Sequence, residues 1–156
     1  MILNPGDLAP NFSLPDAEGN LVNLADFRGQ HIILYFYPRD NTPGCTKEAC
    51  SFRDIYSQYQ SRNIAVLGVS TDSAQSHAKF AAKYQLPFPL LCDLDATVST
   101  AYGCYGLKKF MGKEFMGIMR MTFTIDPNGR IEKVYRKIKP ESHAAEILAD
   151  LSDLWL

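Results

Sequence analysis

The run from Tyr35 to Cys50, Tyr-Phe-Tyr-Pro-Arg-Asp-Asn-Thr-Pro-Gly-Cys-Thr-Lys-Glu-Ala-Cys, holds the residues best suited to chemistry. An apolar, aromatic stretch gives way to a turn-rich one, and then two cysteines follow, Cys45 and Cys50. From Cys45 through about Ser61, apolar residues recur at helical spacing (Ala49, Phe52, Ile55, Tyr56, Tyr59), so a helix begins near Cys45. A cysteine at a helix start meets unpaired backbone N–H groups and a partial positive charge, which favour thiolate over thiol. The thiolate is the nucleophile, and a free thiol of ordinary acidity is only roughly 3% ionised at neutral pH. Making thiolate the main form of such a thiol takes roughly 3.4 kcal/mol, more than one helix end supplies, so a cation is expected to assist. Arg39, Arg53 and Arg120 are the candidates, and spacing alone does not rank them.

The remaining side chains of chemical interest have blander readings. Cys92 and Cys104 sit in apolar surroundings and read as small hydrophobes. The cysteine spacings, C-x4-C and longer, do not offer the tight pairs of a zinc site, and His31, His77 and His143 lie on separate elements. Those histidines read as surface or cap residues rather than general bases. Met111, Met116, Met119 and Met121 read as core or pocket lining, with no spacing for copper. Lys108, Lys109 and Lys113 read as a solvated loop, and Trp155 as a packing anchor for the last helix.

The elements that must position the cysteines follow from periodicity. Phe12, Leu14, Leu21 and Leu24 flank Gly19-Asn20 and predict a small, peripheral hairpin. His31 to Tyr37 is a continuous β-favouring run, expected to be a central strand covered on both faces. Ile64 to Ser70 predicts a second buried strand, and Ser73 caps a helix with the stripe Ala74, Ala78, Phe80, Ala81 and Tyr84. A short strand at Pro89 to Asp93 leads to a short helix from Thr97 to Tyr102, ended near Gly103. Met121 to Ile125 and Ile131 to Arg136 alternate across Asp126-Pro127-Asn128-Gly129, a hairpin signal, before a final helix from about Glu141 to Trp155. This order predicts an α/β protein with a central mixed β-sheet and helices on both faces, an arrangement that the thioredoxin-like fold satisfies.

The 156 residues suit a single domain, 1–156, able to bury its own core. With 46% apolar and 21% charged residues, disorder, collagen-like sequence and coiled coil are excluded. A net charge of -1 gives no general field for nucleic acid or an anionic membrane. The longest wholly apolar run, Ile32 to Tyr37, is far too short to span a bilayer, and the N-terminus resembles no export signal, so a cytoplasmic location is expected. Four cysteines in such a chain are catalytic or inert rather than structural disulfides.

Pro38, Thr42 and Cys45 stand in the P-x3-T-x2-C arrangement of the peroxiredoxins, which this sequence resembles. Four stretches, Tyr35 to Asp54, Phe88 to Asp93, Lys108 to Lys113 and Arg120 to Asp126, are similar to the bacterioferritin-comigratory-protein subfamily, also called PrxQ. The resemblance implies a thiol peroxidase in which Cys45 is the peroxidatic nucleophile and becomes a sulfenic acid. Thr42 and Arg120 would hold the peroxide oxygens and favour the thiolate, Pro38 would shield the site, and Glu48 would orient the arginine. Cys50 would be the resolving thiol, with Cys92 or Cys104 as substitutes. The same resemblance implies hydrogen peroxide or organic hydroperoxides as substrate, thioredoxin or glutaredoxin as reductant, a monomer, and no metal or organic cofactor. Arg39 stands where the family often has lysine, Met121 where a smaller or less flexible residue is usual, and Cys104-Tyr105 where an aliphatic residue and tryptophan are common.

Two other functions share parts of this pattern. A thioredoxin-type oxidoreductase shares the fold and the helix-start cysteine, but the C-x-x-C pair is absent. A redox sensor switched by a Cys45-Cys50 disulfide predicts slow peroxide turnover. In an intact helix, residues five apart have Cα atoms ~8.6 Å apart and point ~140° away from each other. A disulfide tolerates up to about 6.8 Å. That disulfide therefore requires the first turns of the helix to unwind.

Overall fold

The structure, a computed structural model, describes residues 2–154. The chain opens with a small antiparallel hairpin, β1 (Ser13–Pro15) and β2 (Leu21–Asn23), followed by a short 3-10 turn at Leu24–Phe27. β3 (His31–Phe36) then enters the centre of the molecule. α1 (Pro43–Asp54) and α2 (Tyr56–Ser61) connect it to β4 (Ile64–Ser70), which runs parallel to it from His31↔Ile64 to Phe36↔Val69. α3 (Ala74–Tyr84) carries the chain to β5 (Leu90–Cys92), parallel to β4. After α4 (Thr97–Ala101) comes a second hairpin, β6 (Tyr105–Phe110) and β7 (Lys113–Ile118). β8 (Met121–Ile125) and β9 (Ile131–Tyr135) complete the main sheet in the order β5-β4-β3-β8-β9, and α5 (His143–Leu154) follows.

Alternation along β3 divides the core in two. Ile33, Tyr35 and Tyr37 face α1, α2, α3 and α5, where Phe52, Tyr59, Phe80, Phe88 and Ile147 are buried with them. Ile32, Leu34 and Phe36 face the other way, onto Phe123, Val98, Tyr102 and the N-terminal hairpin. Two successive β-α-β crossovers in one direction, β3 to β4 to β5, put their helices on the same face. Gly68 is dictated by that packing, because a Cβ there would lie 2.9 Å from the Tyr35 ring and hydroxyl. The mixed sheet with helices on both faces agrees with the expectation. No helix among the described residues is long and apolar enough to cross a membrane.

Several expectations are corrected. The helix over Cys45 to Ser61 is two helices, because Ile55 leaves helical geometry (φ -118°, ψ 17°) and re-aims α2, where the enclosed Tyr59 hydroxyl donates to the Ala144 carbonyl. Its first residue is Pro43, with Thr42 as N-cap, since proline's missing N–H and fixed φ suit the first helical position. Lys108, Lys109 and Lys113 belong to the β6–β7 hairpin, not a loop; Met111 (φ 52°) and Gly112 (φ 79°) form its turn, both left-handed as a two-residue hairpin requires. Met111 is accordingly 86% exposed rather than core. Finally, His77 and His143 are fully enclosed, and α5 begins at His143 instead of Glu141. Trp155 lies outside the described residues.

Candidate active site

Because Thr42 caps α1 and Pro43 and Gly44 take its first two positions, Cys45 is the third helical residue, still among the backbone N–H groups without an intrahelical acceptor. Its side chain is only 2% exposed. Arg120 immediately precedes β8, and β8 lies beside β3 in the sheet, so the guanidinium reaches the end of the sheet where α1 starts. There one Arg120 nitrogen, Nη2, donates to Cys45 Sγ at 3.2 Å and the other, Nη1, to Glu48 Oε1 at 2.6 Å. Cys45 and Glu48 are three residues apart and so share a helix face, which lets one planar guanidinium bridge both.

Gly44 leaves this approach uncrowded. A Cβ at that position would sit 3.1 Å from Arg120 Nη2, tight enough that the guanidinium would have to shift by a few tenths of an ångström. The sequence signal was present as a glycine directly before Cys45, but only the cross-sheet arrival of Arg120 explains it.

Of the three candidate cations, the structure selects Arg120. Arg53 donates to the Tyr84 carbonyl and pairs with Asp54, and Arg39 lines a cavity while its carbonyl accepts the Thr42 hydroxyl at 3.0 Å. That cavity, about 670 Å³, is lined by Pro38 and Thr42 together with Lys108, Phe110, Phe115 and Met116 of the second hairpin. The hairpin's contribution to this cavity was not legible in advance, since its turn lacks the usual Asn-Gly or Asp-Gly signal. Cys50 lies farther along α1, half-buried, and all four cysteines are free thiols. Cys45, Glu48 and Arg120 thus come together, with Thr42 at the start and Cys50 farther along the same helix, while Pro38 and Thr42 line one cavity.

Burial opposes the Arg120 charge, yet Glu48 and Cys45 outweigh it and hold the guanidinium more firmly protonated than usual. Burial pushes the Glu48 carboxyl up from its ordinary 4.5 to about 7, with Arg120 pulling the other way. One of its oxygens, Oε2, has no hydrogen-bond partner among the described residues. Deeper in the same core, burial and then the Arg120 charge depress His143 to about 4. Its Nε2 is paired with Thr122 Oγ1 at 2.8 Å.

These shifts give opposite pH dependences. The folded Glu48 carboxyl holds its proton more tightly than the unfolded one, so its contribution to stability is fully present below about pH 4.5 and is lost as pH rises through about 7. His143 behaves inversely, losing stability as pH falls from 6.5 through about 4, and the two slopes offset each other in the wild type. The stability of Glu48→Gln relative to wild type is expected to rise by about 3 kcal/mol between pH 4.5 and 7, measured by urea unfolding. A difference independent of pH would assign Glu48 an ordinary acidity.

A model of the AhpC/TSA family matches residues 5–134. The chain belongs to the AhpC/TSA family, as a peroxiredoxin. It is 48% identical over 151 residues to a putative peroxiredoxin bcp of Coxiella burnetii, covering 97% of this chain and all of the relative. Peroxiredoxin Bcp of Bacillus subtilis is 46% identical over 154 residues, covering 99% of this chain and 98% of the relative. Among solved structures, a cysteine-to-serine variant of Xylella fastidiosa PrxQ superposes with a TM-score of 0.94 at 36% identity, covering 100% of this chain and 99% of that one. This peroxiredoxin therefore has the thioredoxin fold and is a thiol peroxidase of the bacterioferritin-comigratory-protein branch.

Proposed function

We propose that this peroxiredoxin reduces hydrogen peroxide and organic hydroperoxides through Cys45, with Cys50 as the resolving thiol and a thioredoxin-type protein or glutaredoxin as reductant. The observation that carries the reading is the Arg120 guanidinium shared between Cys45 Sγ and the buried Glu48 carboxyl. The Cys45 thiolate attacks one peroxide oxygen, the O–O bond breaks, and the departing alkoxide or hydroxide takes a proton to leave as alcohol or water. Arg120 stabilises the charge as it moves from sulfur to oxygen. The Thr42 hydroxyl, its proton turned to the Arg39 carbonyl, offers its oxygen to the peroxide O–H. Glu48 fixes the guanidinium, and Pro38 shields the sulfur from bulk water.

The Cys50 thiol then attacks the Cys45 sulfenic acid, water leaves, and an intramolecular disulfide remains for the reductant's dithiol to open. Cys92 and Cys104 are poor substitutes. Burial raises the Cys92 thiol to about 11 and the Cys104 thiol well above its ordinary value, and Cys104 Sγ is held on the Ser99 carbonyl at 3.3 Å. The Cys45–Cys50 bond requires α1 to unwind, so amide exchange over residues 45–53 is expected to accelerate by at least about tenfold on oxidation. Equal protection in both redox states would remove Cys50 from the mechanism.

The cavity beyond Thr42 is wide and apolar enough for an organic hydroperoxide. Of the related solved structures, one from Xanthomonas campestris is described in terms of alkyl peroxide reduction. Phe115→Ala is expected to raise the KM for cumene hydroperoxide about fivefold, from lost apolar contact, and to leave hydrogen peroxide unaffected. Equal effects on both substrates would dissociate the cavity from substrate binding. In this reading the working unit is a cytoplasmic monomer with residues 1–156 as one domain.

The deciding experiment is NADPH consumption coupled through thioredoxin and its reductase, comparing wild type with Cys50→Ser. Wild type is expected to turn over continuously. Cys50→Ser is expected to consume one peroxide per chain and to yield a dimedone adduct on Cys45. Failure of wild type with hydrogen peroxide and cumene hydroperoxide, with either thioredoxin or glutaredoxin, would leave the sensor role instead.

A further inference from the structure

Beneath the loop that carries Pro38 and Thr42 lies a buried polar cluster that the chemistry above does not use. Asp40 and His77 form a pair with side chains 3% and 0% exposed, His77 Nδ1 lying 2.7 Å from Asp40 Oδ2. His77 Nε2 sits 2.9 Å from the Leu91 carbonyl, an acceptor only, so Nε2 carries a proton and Nδ1 is the atom that shares one with Asp40. Asp40 Oδ2 also accepts from Ser76 Oγ at 2.8 Å, and Oδ1 from the Tyr37 hydroxyl at 2.6 Å. The Asp40 backbone N–H donates to Asp72 Oδ2 at 2.8 Å, which in turn accepts from Ser70 Oγ at 2.7 Å. Asp40, Asp72 and His77 are grouped closely enough to hold a metal ion, but hydrogen bonds within the protein already engage the converging atoms. The cluster braces the loop against β4, α3 and β5 at once.

What the brace holds is a strained turn. Asn41 has φ 59°, in the left-handed region disfavoured for any residue but glycine and tolerated best by asparagine and aspartate. The next residue is Thr42, which caps α1 and donates to the Arg39 carbonyl. Asp40 is thus anchored on one side of a left-handed residue and the peroxide-facing hydroxyl stands on the other. A small rotation at Asn41 re-aims the Thr42 hydroxyl, whereas Arg120, just before β8, approaches Cys45 from outside this loop. We propose that Asp40 and His77 are positioning residues for the peroxidase reaction, a buried clamp that holds Thr42 against the peroxide without touching substrate themselves.

This inference rests on Cys45 and Thr42 acting as proposed above, and its test separates the two readings. The probes are hydrogen peroxide, in a competition assay for the rate of Cys45 oxidation, and iodoacetamide, whose reaction needs the thiolate but not an aimed Thr42. Asp40→Ala is expected to slow the peroxide reaction by about tenfold or more, since misplacement by roughly an ångström is that costly, and to change alkylation by less than about twofold. Asp40→Asn, which keeps the shape, can still accept from the Tyr37 hydroxyl and can donate its amide to His77 Nδ1 and Ser76 Oγ, is expected to restore most of the peroxide rate. Should Asp40→Ala fail to fold, Ser76→Ala removes one hydrogen bond to the carboxylate and is expected to slow the peroxide reaction about threefold with alkylation unchanged. Peroxide and alkylation rates that fall in parallel, or a peroxide rate that does not fall, would overturn the clamp. Turnover surviving in Cys45→Ser would instead overturn the reading beneath it.

Discussion

Cys45→Ser is expected to reduce peroxide turnover by at least on the order of a thousandfold, in line with the removal of an essential nucleophile from other enzymes. A serine hydroxyl fits the space and still accepts from Arg120, so the fold and the guanidinium's position should survive. What is lost is the nucleophile, because the reactive form is a thiolate and a serine alcohol cannot take its place. The coupled assay reads this directly, and a thermal melt of the variant close to that of wild type excludes unfolding as the cause. Residual turnover above about 1% would assign the nucleophile to another cysteine. Cys50 would be first among them, since Cys92 and Cys104 are buried.

Arg120→Met carries the second-largest effect, and it acts on both rate and stability. Removing the guanidinium takes away the donor on Cys45 Sγ and on the oxygens to which negative charge moves, a loss of about 100-fold or more in kcat/KM. It also strands Glu48, which is 0% exposed and whose second oxygen already lacks a partner. Breaking a fully enclosed pair costs about 3–5 kcal/mol; Arg120 is one-fifth exposed and Glu48 can take up a proton, so about 2 kcal/mol is expected. Arg120→Met combined with Glu48→Gln should recover that stability and none of the rate, a non-additivity that separates the two roles. Arg120→Lys keeps the charge, but an ammonium lacks the planar fork that serves sulfur and carboxylate together, so it should recover only a fraction of the activity. Wild-type rates in Arg120→Lys would reduce the arginine's role to simple charge.

The parts of this molecule that were legible in the sequence are those with a local physical cause. Continuous β-favouring runs at His31 to Tyr37 and Ile64 to Ser70 had to be covered strands, and the Ser73 cap behaves as read, accepting from the Ser76 N–H. The helix-start cysteine was legible for the same reason, since a strand, a turn and that cysteine lie within one continuous stretch, and its peroxidatic role was what the family resemblance implied. Glu48 could be placed on the face of Cys45 from helical spacing alone.

Other features depend on residues that meet only after folding. Periodicity could not register the break at Ile55, because apolar spacing continues through it, nor the second hairpin, whose exposed strands show no buried face and whose turn is Met111-Gly112. His77 and His143 looked like surface residues because their hydrogen-bond partners are distant in sequence; Asp40, Leu91 and Thr122 serve them from 37, 14 and 21 residues away. The choice among three arginines was likewise undecidable by spacing. Arg120 stands 75 residues from Cys45 and reaches it only because β8 pairs antiparallel with β3, while Gly44 leaves room for its nitrogen. The sequence by itself determined the helix-start cysteine, its helix and the family of chemistry, because those follow from neighbours along the chain. Only the tertiary structure decided how Arg120 meets both Cys45 and Glu48 and how Asp40 meets His77, because strand pairing and burial set those distances.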